Sequence, residues 1–489
     1  MGLDIVQFLE NKTILVTGAT GFLAKIFVEK ILRIQPNVKK MFLLIRATDE
    51  QSAARRLHEE LIEKKLFHIL RQKHAPNLGS ILEKLHAIPG DISSENLGVN
   101  DSYLRLEMWR EIDIIVHSAA TTTFDDRYDI ALAINTYGAK HIAEFATRCV
   151  NLKMLLHVST AYVCGEKSGV ILEKAFSMGE TTNGSRKLDV NEEKLLSDGL
   201  IRVLREKNAS DKEITIALRE LGLQRARLHG WPNTYTLTKA MGEMMLRHHL
   251  SRNVSLAIVR PTIITSTYRE PFPGWLEGFP FRTLDNIAIN YGRGKINSFI
   301  GDPETIFDAI PVDMVVNAMI VAMVVHANRP SYMIYHVGSS LSNPLRYADF
   351  QNFILNYFTD NPLVDEDGKP IKVGKLILVD STESFQKELT QYYTFRSKEQ
   401  NGFQTSHADL KRNIDKAMRA AEIYRPYALF KGIFDNTNTK SLRATAVENG
   451  VDLESAFYFD PSYIDWEDYF QRIQLPGISG AFKLKRARL

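Results

Sequence analysis

Short apolar runs alternate with amphipathic stretches through the first half of the chain. The stretches between the runs repeat their apolar residues at helical spacing, as in Ile26 to Leu32. Strands that alternate with helices predict an α/β fold built on a doubly wound parallel sheet of the Rossmann type. Six runs have the length of buried strands, namely Thr13 to Thr17, Lys40 to Ile45, Leu85 to Pro89, Ile112 to His117, Met154 to Ser159 and Ser255 to Val259.

The first of these strands runs directly into a glycine-containing turn and then into a helix. Gly18 allows a tight turn, and Gly21 lets backbone N–H groups approach a pyrophosphate at the positive end of the helix. Ala24 stands where the usual fingerprint has a third glycine, and it still permits close packing of helix on strand. The turn predicts a dinucleotide site with contacts from Thr17, Gly18, Thr20, Gly21, Phe22 and Leu23.

The ends of the next strands carry further candidates for cofactor binding. Arg46 follows the second strand, where enzymes that use NAD place an acidic side chain on the ribose 2′-hydroxyl. An arginine there favours a 2′-phosphate and therefore NADPH, the alternative being a solvated arginine at a strand end. Asp91 follows the third strand and would lie near the adenine amino group. The remaining expected contacts are Ile92, Ser118, Ala119, Ala120, Asn135, Pro261 and Thr262.

Candidate catalytic side chains follow the fifth strand and open a later helix. Ser159 and Thr160 end the strand, and either hydroxyl could hydrogen-bond a substrate carbonyl oxygen. Tyr235 and Lys239 are four residues apart and share a helix face. A free phenol has a pKa of about 10, and a neighbouring ammonium would lower it and hold the nicotinamide ribose. The pattern predicts a proton donor and acceptor at Tyr235.

The same spacing of tyrosine and lysine occurs twice more. The pair at Tyr291 encloses Gly292 and Gly294, which favours a turn. The pair at Tyr427 lies far beyond the predicted nucleotide domain. Tyr235 is preferred because a helical pattern continues after it and a strand soon follows, although core and surface roles for Tyr235 and Lys239 stay open.

Composition excludes several classes of function. The chain has 489 residues, 44% hydrophobic and 24% charged, with a net charge of +3, and it has no basic run interleaved with aromatics, so nucleic acid is not an expected partner. Its two cysteines, Cys149 and Cys164, fit a reducing compartment and offer no metal-ligand spacing. No apolar window approaches the roughly 18 residues of a membrane span, and Val315 to Val325 predicts a buried helix.

Localisation rests on the two ends of the chain. The nucleotide strand begins close to Met1, which leaves no room for a targeting peptide, so we expect a protein made in the cytosol. Ala487-Arg488-Leu489 loosely resembles a peroxisomal address, the alternative being a frayed basic tail.

Four longer motifs together carry a family resemblance: Thr17 to Lys25, His157 to Val163, His229 to Tyr235, and Arg260-Pro261-Thr262 with Glu270 to Trp275. They resemble the alcohol-forming fatty acyl-CoA reductases of the plant branch, in the extended short-chain dehydrogenase/reductase group. The resemblance implies NADPH-dependent reduction of long-chain or very-long-chain acyl-CoA to a primary alcohol through a bound aldehyde, as in wax and lipid biosynthesis. It maps the catalytic pair onto Tyr235 and Lys239 and the hydroxyl onto Thr160, with Ser159 beside it.

The expected domains are residues 1–345, with insertions at about 165–232 and 265–310, and a smaller, mostly helical region at 346–489. The helical stretch Asn191 to Leu221 is hypothesised to cap the active site, and the aromatic run Phe272 to Phe281 is a second candidate wall for an acyl tunnel. Surface embellishment and ordinary packing are the alternatives.

Pieces near the end of the chain, such as Tyr424 to Tyr427, resemble the family's C-terminal domain. Family members often carry an apolar stretch shortly before it, whereas residues 383–407 here are markedly polar, which puts membrane attachment in doubt and bears on the substrate site. The expected location is the cytoplasm or the cytosolic face of the endoplasmic reticulum, with at most peripheral membrane association.

Two other classes of function stay open. One is an extended short-chain enzyme acting on a nucleotide sugar as an epimerase or dehydratase with tightly bound NAD, against which Arg46 argues. The other is a catalytically impaired homologue that binds NADPH as a scaffold or sensor.

Overall fold

The computed structural model describes residues 4–185, 187–278, 281, 283–327, 329–399 and 407–486. Thirteen strands occur in this part of the chain. They are β1 Thr13–Thr17, β2 Lys40–Ile45, β3 Leu85–Pro89, β4 Ile114–His117, β5 Met154–Val158, β6 Gly169–Ile171, β7 Leu256–Pro261, β8 Ile263–Thr265, β9 Ser298–Ile300, β10 Ala309–Pro311, β11 Tyr332–Val337, β12 Ile377–Val379 and β13 Gly432–Phe434.

Seven of these strands form one parallel sheet in the order β11-β7-β5-β4-β1-β2-β3. The order reverses at β1, where Thr17 is in register with Leu44 of β2 on one side and with His117 of β4 on the other. The prediction of a doubly wound parallel sheet is confirmed. Six of its strands lie within two residues of the predicted bounds, and the pattern missed the seventh, β11.

Helices cover both faces of the sheet and fill the insertions. The α-helices are α1 Ile5–Leu9, α2 Phe22–Ile34, α3 Glu50–Leu57, α4 His68–Lys73, α5 Leu78–Leu82, α6 Ser102–Glu111, α7 Tyr128–Ala131, α8 Gly138–Ala146, α9 Val190–Glu206, α10 Asp211–Leu228, α11 Thr234–His249, α12 Thr283–Gly292, α13 Val312–His326, α14 Tyr347–Asp360, α15 Thr382–Glu399, α16 His407–Ala428, α17 Thr437–Glu448, α18 Trp466–Tyr469 and α19 Leu475–Arg486.

Helix α13 explains the longest apolar run of the sequence. Its residues from Val312 to Val324 are all buried, and it packs against α2, β5 and β7. A helix that is apolar on every side is stable in water only when it is enclosed by other elements. The prediction of a buried helix here is confirmed.

The C-terminal region shares its core with the sheet domain. Strand β13 pairs with β6, β12 pairs with β9, and α17 packs against α13 and β11. Buried side chains from Ile5 to Ile478 belong to one continuous apolar cluster. The predicted division at residue 345 stays a prediction.

The polar segment that departs from the family pattern is largely helical. Helix α15 covers this segment up to Glu399. On its inner face, Phe385 and Leu389 are buried against Ile300 of β9 and Ala421 of α16. Its polar composition therefore belongs to the outer face of an amphipathic helix. Residues 400–406 lie outside the described part. None of the described helices is both long and apolar enough to cross a membrane.

Candidate functional site

The glycine turn lies at the point where the strand order reverses. Gly18 has φ of +70°, and a Cβ atom added to it would lie 2.7 Å from Ala119 Cα, so the turn needs glycine. The Ala119 N–H donates to Thr17 Oγ1 at 3.2 Å, which joins the turn to the loop after β4. Gly21 is the N-cap residue of α2 and provides no side-chain hydrogen bond to the helix. The first N–H groups of α2 are thus directed at a place suited to a phosphate.

Some residues next to this turn are partly exposed at the sheet edge, and others are buried in the core. Thr20, Ser118 and Ala120 are half-buried around the turn. Phe22 stacks on Trp275 with ring centroids 5.4 Å apart, and Leu23 is buried. Trp275 of the aromatic run therefore lies against α2. Phe279 and Pro280 of that run lie outside the described residues.

Arg46 follows β2 at the same edge of the sheet and is exposed. Its carbonyl oxygen accepts a hydrogen bond of 2.6 Å from Arg56 Nη1, which places a second guanidinium beside it. After β3, Asp91 Oδ1 accepts from the Ser93 N–H and hydroxyl at 2.8 and 2.7 Å. Ile92 is buried and contacts Gly138. Contacts of these residues with a cofactor stay predictions.

Asn135 and Thr262 have hydrogen-bond partners inside the protein. Asn135 Oδ1 accepts from the Thr121 N–H at 3.0 Å, and its Nδ2 donates to Thr238 Oγ1 at 3.0 Å. Thr262 Oγ1 donates to Asp308 Oδ1 at 2.9 Å, and Pro261 before it is buried. These contacts tie the crevice loops to α11 and to the end of β7, and direct cofactor contact from these residues stays a prediction.

Lys239 is buried in α11 and points at the end of β5. Its Nζ donates to the Val158 carbonyl oxygen at 2.7 Å and lies 3.4 Å from His157 Nε2. Burial lowers the pKa of Lys239 to about 8, and the negative charge of Glu243 acts in the opposite direction. Tyr235 lies one turn earlier and is half-buried, with its ring 5.8 Å from that of Phe124.

Both candidate hydroxyls lie at the carboxyl end of β5. Thr160 Oγ1 accepts from the Tyr162 N–H at 3.3 Å, which leaves its own proton for another acceptor. Ser159 Oγ is buried and has no hydrogen-bond partner in the described part of the protein. This hydroxyl is therefore available to hydrogen-bond a molecule that enters the site.

Two stacked histidines connect the glycine turn to the lysine. His117 and His157 are cross-strand neighbours with ring centroids 4.9 Å apart, and His117 Nδ1 lies 2.8 Å from Thr17 Oγ1. Burial, with help from the charge of Lys239, lowers the pKa of His117 to about 3 and that of His157 well below its usual range. His157 is therefore neutral and can accept from Lys239. The sequence interpretation missed both residues, although each lies at or beside the last position of its strand.

Tyr427 is distant from the nucleotide domain in sequence, but the fold brings it into contact with that domain. Its hydroxyl accepts from Asn233 Nδ2 at 2.6 Å, and its ring stacks on Phe124 with centroids 5.0 Å apart. Phe124 is also the neighbour of Tyr235, so the C-terminal region forms one wall of this site. The turn expected around Tyr291 is wrong in part, because Tyr291 lies in α12 and its hydroxyl donates to the Gly374 carbonyl.

The inserted stretch forms the helical pair α9 and α10, as its periodicity predicted. Glu193 of α9 is buried and accepts from Arg225 Nε at 2.8 Å and from the Tyr128 hydroxyl at 2.7 Å. Gly222 of α10 lies against α11, since an added Cβ would be 2.5 Å from Thr234 Oγ1. The pair supports the start of the helix that carries Tyr235, and its role as a cap stays a hypothesis.

A nicotinamide dinucleotide fits these residues. The close approach at Gly18, the uncapped start of α2 and the unpartnered Ser159 hydroxyl lie along one edge of the sheet, at its switch point. Lys239 and Tyr235 would face the nicotinamide end. Among the described residues, no group of three or more His, Cys, Asp or Glu side chains could hold a metal ion.

Fold and site define the class, a protein with a Rossmann-type domain that binds a nicotinamide dinucleotide. Residues 16–319 match the NAD-binding domain of the male sterility proteins, and residues 389–482 match a second domain of the same description. The chain belongs to this male sterility protein family, which confirms the family resemblance seen in the motifs.

Relatives and solved structures agree with this assignment. An alcohol-forming fatty acyl-CoA reductase of Simmondsia chinensis is 48% identical over 97% of this chain and 98% of its own. Fatty acyl-CoA reductase 1 of Arabidopsis thaliana is also 48% identical, over 97% and 98%. The reductase domain of a nonribosomal peptide synthetase from Mycobacterium tuberculosis has the same fold, with a TM-score of 0.60 at 17% identity over 99% of this chain and 93% of that one.

Proposed function

We propose that this protein is an alcohol-forming fatty acyl-CoA reductase that uses NADPH. It reduces a long-chain or very-long-chain fatty acyl-CoA to the primary alcohol in two steps through a bound aldehyde, and it releases CoA. The observation that carries the proposal is the buried Lys239 behind Tyr235, beside the hydroxyls of Ser159 and Thr160, at the sheet edge that holds the glycine turn. The near full-length similarity to plant enzymes of that name supports the substrate class.

The chain provides separate contacts for the parts of the cofactor. The glycine turn and the start of α2 would hold the pyrophosphate, and the exposed Arg46 would hold the 2′-phosphate. The Lys239 ammonium has three N–H donors, and two of them face Val158 and His157. The third would donate to a hydroxyl of the nicotinamide ribose. NADPH, when bound, would supply a hydride, an electron pair together with the hydrogen that the carbonyl carbon gains, for each reduction.

The residues act differently in the two steps. At the thioester, Thr160 and Tyr235 donate hydrogen bonds to the carbonyl oxygen as negative charge develops on it. The C–S bond then breaks, and CoA leaves as a thiolate that needs no proton. At the aldehyde, Tyr235 transfers its phenolic proton to the oxygen, which becomes the alcohol hydroxyl. The charge of Lys239 stabilises the tyrosinate that remains.

For localisation we propose the cytoplasm or the cytosolic face of the endoplasmic reticulum, where acyl chains could be exchanged with a membrane by peripheral contact. The alternative is the peroxisome, through Ala487-Arg488-Leu489. These three residues lie outside the described part of the chain.

Purified protein incubated with NADPH and a series of saturated acyl-CoAs tests the function. Loss of cofactor absorbance is followed while products are identified by mass spectrometry, and about two NADPH oxidised per thioester with primary alcohol as product is expected. Aldehyde as the final product would contradict the second step. Protein that carries tightly bound NAD and is inert to acyl-CoA would overturn the proposal in favour of a nucleotide-sugar enzyme.

A further inference from the structure

A strongly basic groove lies on the outer face of α16. It has a volume of about 410 Å³, and four cationic side chains and one carboxylate line it: Lys411, Arg412, Asp415, Lys416 and Arg419. The opposite face of α16 packs through Ala417, Met418 and Ala421 against Phe385 and Leu389 of α15. The helix is therefore anchored by its apolar side, which leaves the basic side turned to solvent.

The groove is linked to the candidate active site by the same helix. Arg419 forms an ion pair with Asp125, the residue after Phe124. Two turns further along α16, Tyr427 stacks on Phe124, and Phe124 lies 5.8 Å from the ring of Tyr235. The helix thus extends from the basic groove to the catalytic tyrosine.

Positive charge accumulates around the groove. Burial lowers the pKa of Lys295, and the positive charges of Arg293 and Lys416 lower it further, against a weaker opposing effect of Glu366. Neighbouring cations that repel one another in this way create a region of positive potential. An anion bound there would reduce the repulsion between them.

We propose that this groove binds the phosphate groups of the substrate's CoA moiety, with the pantetheine arm lying along α16 toward Tyr235. This inference rests on the proposed function. CoA carries a pyrophosphate and a 3′-phosphate at one end and the reactive thioester at the other, so its charge complements the groove while its reacting end complements the catalytic residues.

Distances along the helix agree with the length of the pantetheine arm. Lys416 precedes Tyr427 by 11 residues, which is a rise of about 16 Å along α16. The extended arm from sulfur to the first phosphorus has the bond count of between four and five residues of extended chain, or about 15 Å. The lining residues of the groove are all charged, which favours a soluble anion over a membrane surface.

A matched pair of triple variants tests the groove. In the first, Lys411, Arg412 and Lys416 are changed to Gln, while Arg419 is kept because it pairs with Asp125. In the control, the same number of positive charges is removed away from the groove by changing the exposed Arg110, Lys207 and Arg252 to Gln. Calorimetry measures the affinity of each protein for CoA and for 3′-dephospho-CoA, with melting temperature as a check on folding.

We expect wild type to bind CoA more tightly than 3′-dephospho-CoA. The groove variant should bind CoA roughly tenfold more weakly and lose most of that preference, as the loss of three exposed charge contacts implies. The control variant should keep the wild-type affinity for CoA and the preference for CoA over 3′-dephospho-CoA. Unchanged CoA binding in the groove variant, or equal weakening in the control, would overturn the assignment.

Turnover separates this inference from the proposed function. The groove variant should show KM for acyl-CoA raised roughly tenfold, while kcat/KM for free fatty aldehyde, which lacks CoA, stays at the wild-type value. If wild type reduces acyl-CoA and the variant has the same KM, the groove is wrong and the function stands. If wild type does not reduce acyl-CoA, the function fails and the groove assignment with it. Loss of sedimentation with phosphatidylserine vesicles at unchanged CoA affinity would assign the groove to a membrane instead.

Discussion

Asn233 and Tyr427 are joined by a hydrogen bond of 2.6 Å across 194 residues of sequence. Asn233 is also the N-cap of α11, because its Oδ1 accepts from the Thr236 N–H. One amide therefore fixes the start of the helix that carries Tyr235 and attaches it to the C-terminal region. The position of the tyrosine depends on a part of the chain that lies outside the nucleotide-binding sheet.

Changing Tyr427 to Phe removes the acceptor and leaves Asn233 Nδ2 without its partner. We expect a loss of about 1–3 kcal/mol in the free energy of unfolding and lower turnover through displacement of α11. Thermal melting and acyl-CoA turnover measure the two effects. Tyr463, which is exposed, provides the control, since its change to Phe should alter neither. An unchanged melting temperature for the Tyr427 variant would contradict the anchoring role.

Changing Tyr235 to Phe should impair reduction of free aldehyde at least as strongly as consumption of the thioester. The aldehyde step needs a proton donor and the departure of thiolate does not, so a loss of about 10²–10⁴ in rate is expected with aldehyde. Steady-state rates with a fatty aldehyde and with the matching acyl-CoA give the comparison. Normal turnover of aldehyde by this variant would show that Tyr235 is not the donor.

The pKa of Lys239, lowered by burial to about 8, predicts opposite effects of pH on activity and stability. Its charged form supports Tyr235, so activity should fall as pH rises through about 8. Between about 8 and the ordinary value of 10.5, the unfolded chain binds a proton at this lysine that the folded protein does not bind. The contribution of Lys239 to stability therefore rises with pH in that window.

Rate and unfolding profiles of wild type and of a Lys239→Met variant check this pair of effects. The variant has no titrating group at this position, so the rise in stability with pH should be smaller in it than in wild type. Identical stability profiles for the two proteins would show that the pKa of Lys239 is not lowered.

Changing Arg46 to Ala should weaken the binding of NADPH and leave the binding of NADH almost unaffected. Loss of a charge-assisted contact to the 2′-phosphate corresponds to about 1.5–3 kcal/mol, or roughly 10- to 100-fold in KM for NADPH. Arg55 is exposed on α3 nearby, and its change to Ala is the control. Equal losses with both cofactors would place Arg46 away from the 2′-phosphate.

Changing Glu193 to Gln should destabilise the protein by about 1.5–3 kcal/mol, because Arg225 and Tyr128 lose a buried, charged hydrogen-bond acceptor. Burial acts to raise the pKa of Glu193, but hydrogen bonds from His229, Arg225 and Tyr128 outweigh it and lower the pKa to about 2. The stabilisation is therefore present above the ordinary carboxyl pKa and is lost as pH falls toward 2.

Unfolding at neutral and acidic pH measures this contribution of Glu193. The exposed Glu206→Gln on the same helix is the control, and it should have little effect at either pH. If the Glu193 variant were as stable as this control, the ion pair of Glu193 with Arg225 would not contribute to stability.

The sequence by itself determined the sheet and most of the candidate site. Strand lengths, the glycine turn, Arg46 and the Tyr235–Lys239 spacing are local features, and each is set by backbone geometry or by periodicity within a few residues. Only the tertiary structure brought Tyr427 to Phe124, stacked His117 on His157 and turned the basic side of α16 outward. These relationships join residues far apart in the chain, and they depend on how whole helices and strands pack, which local pattern does not encode.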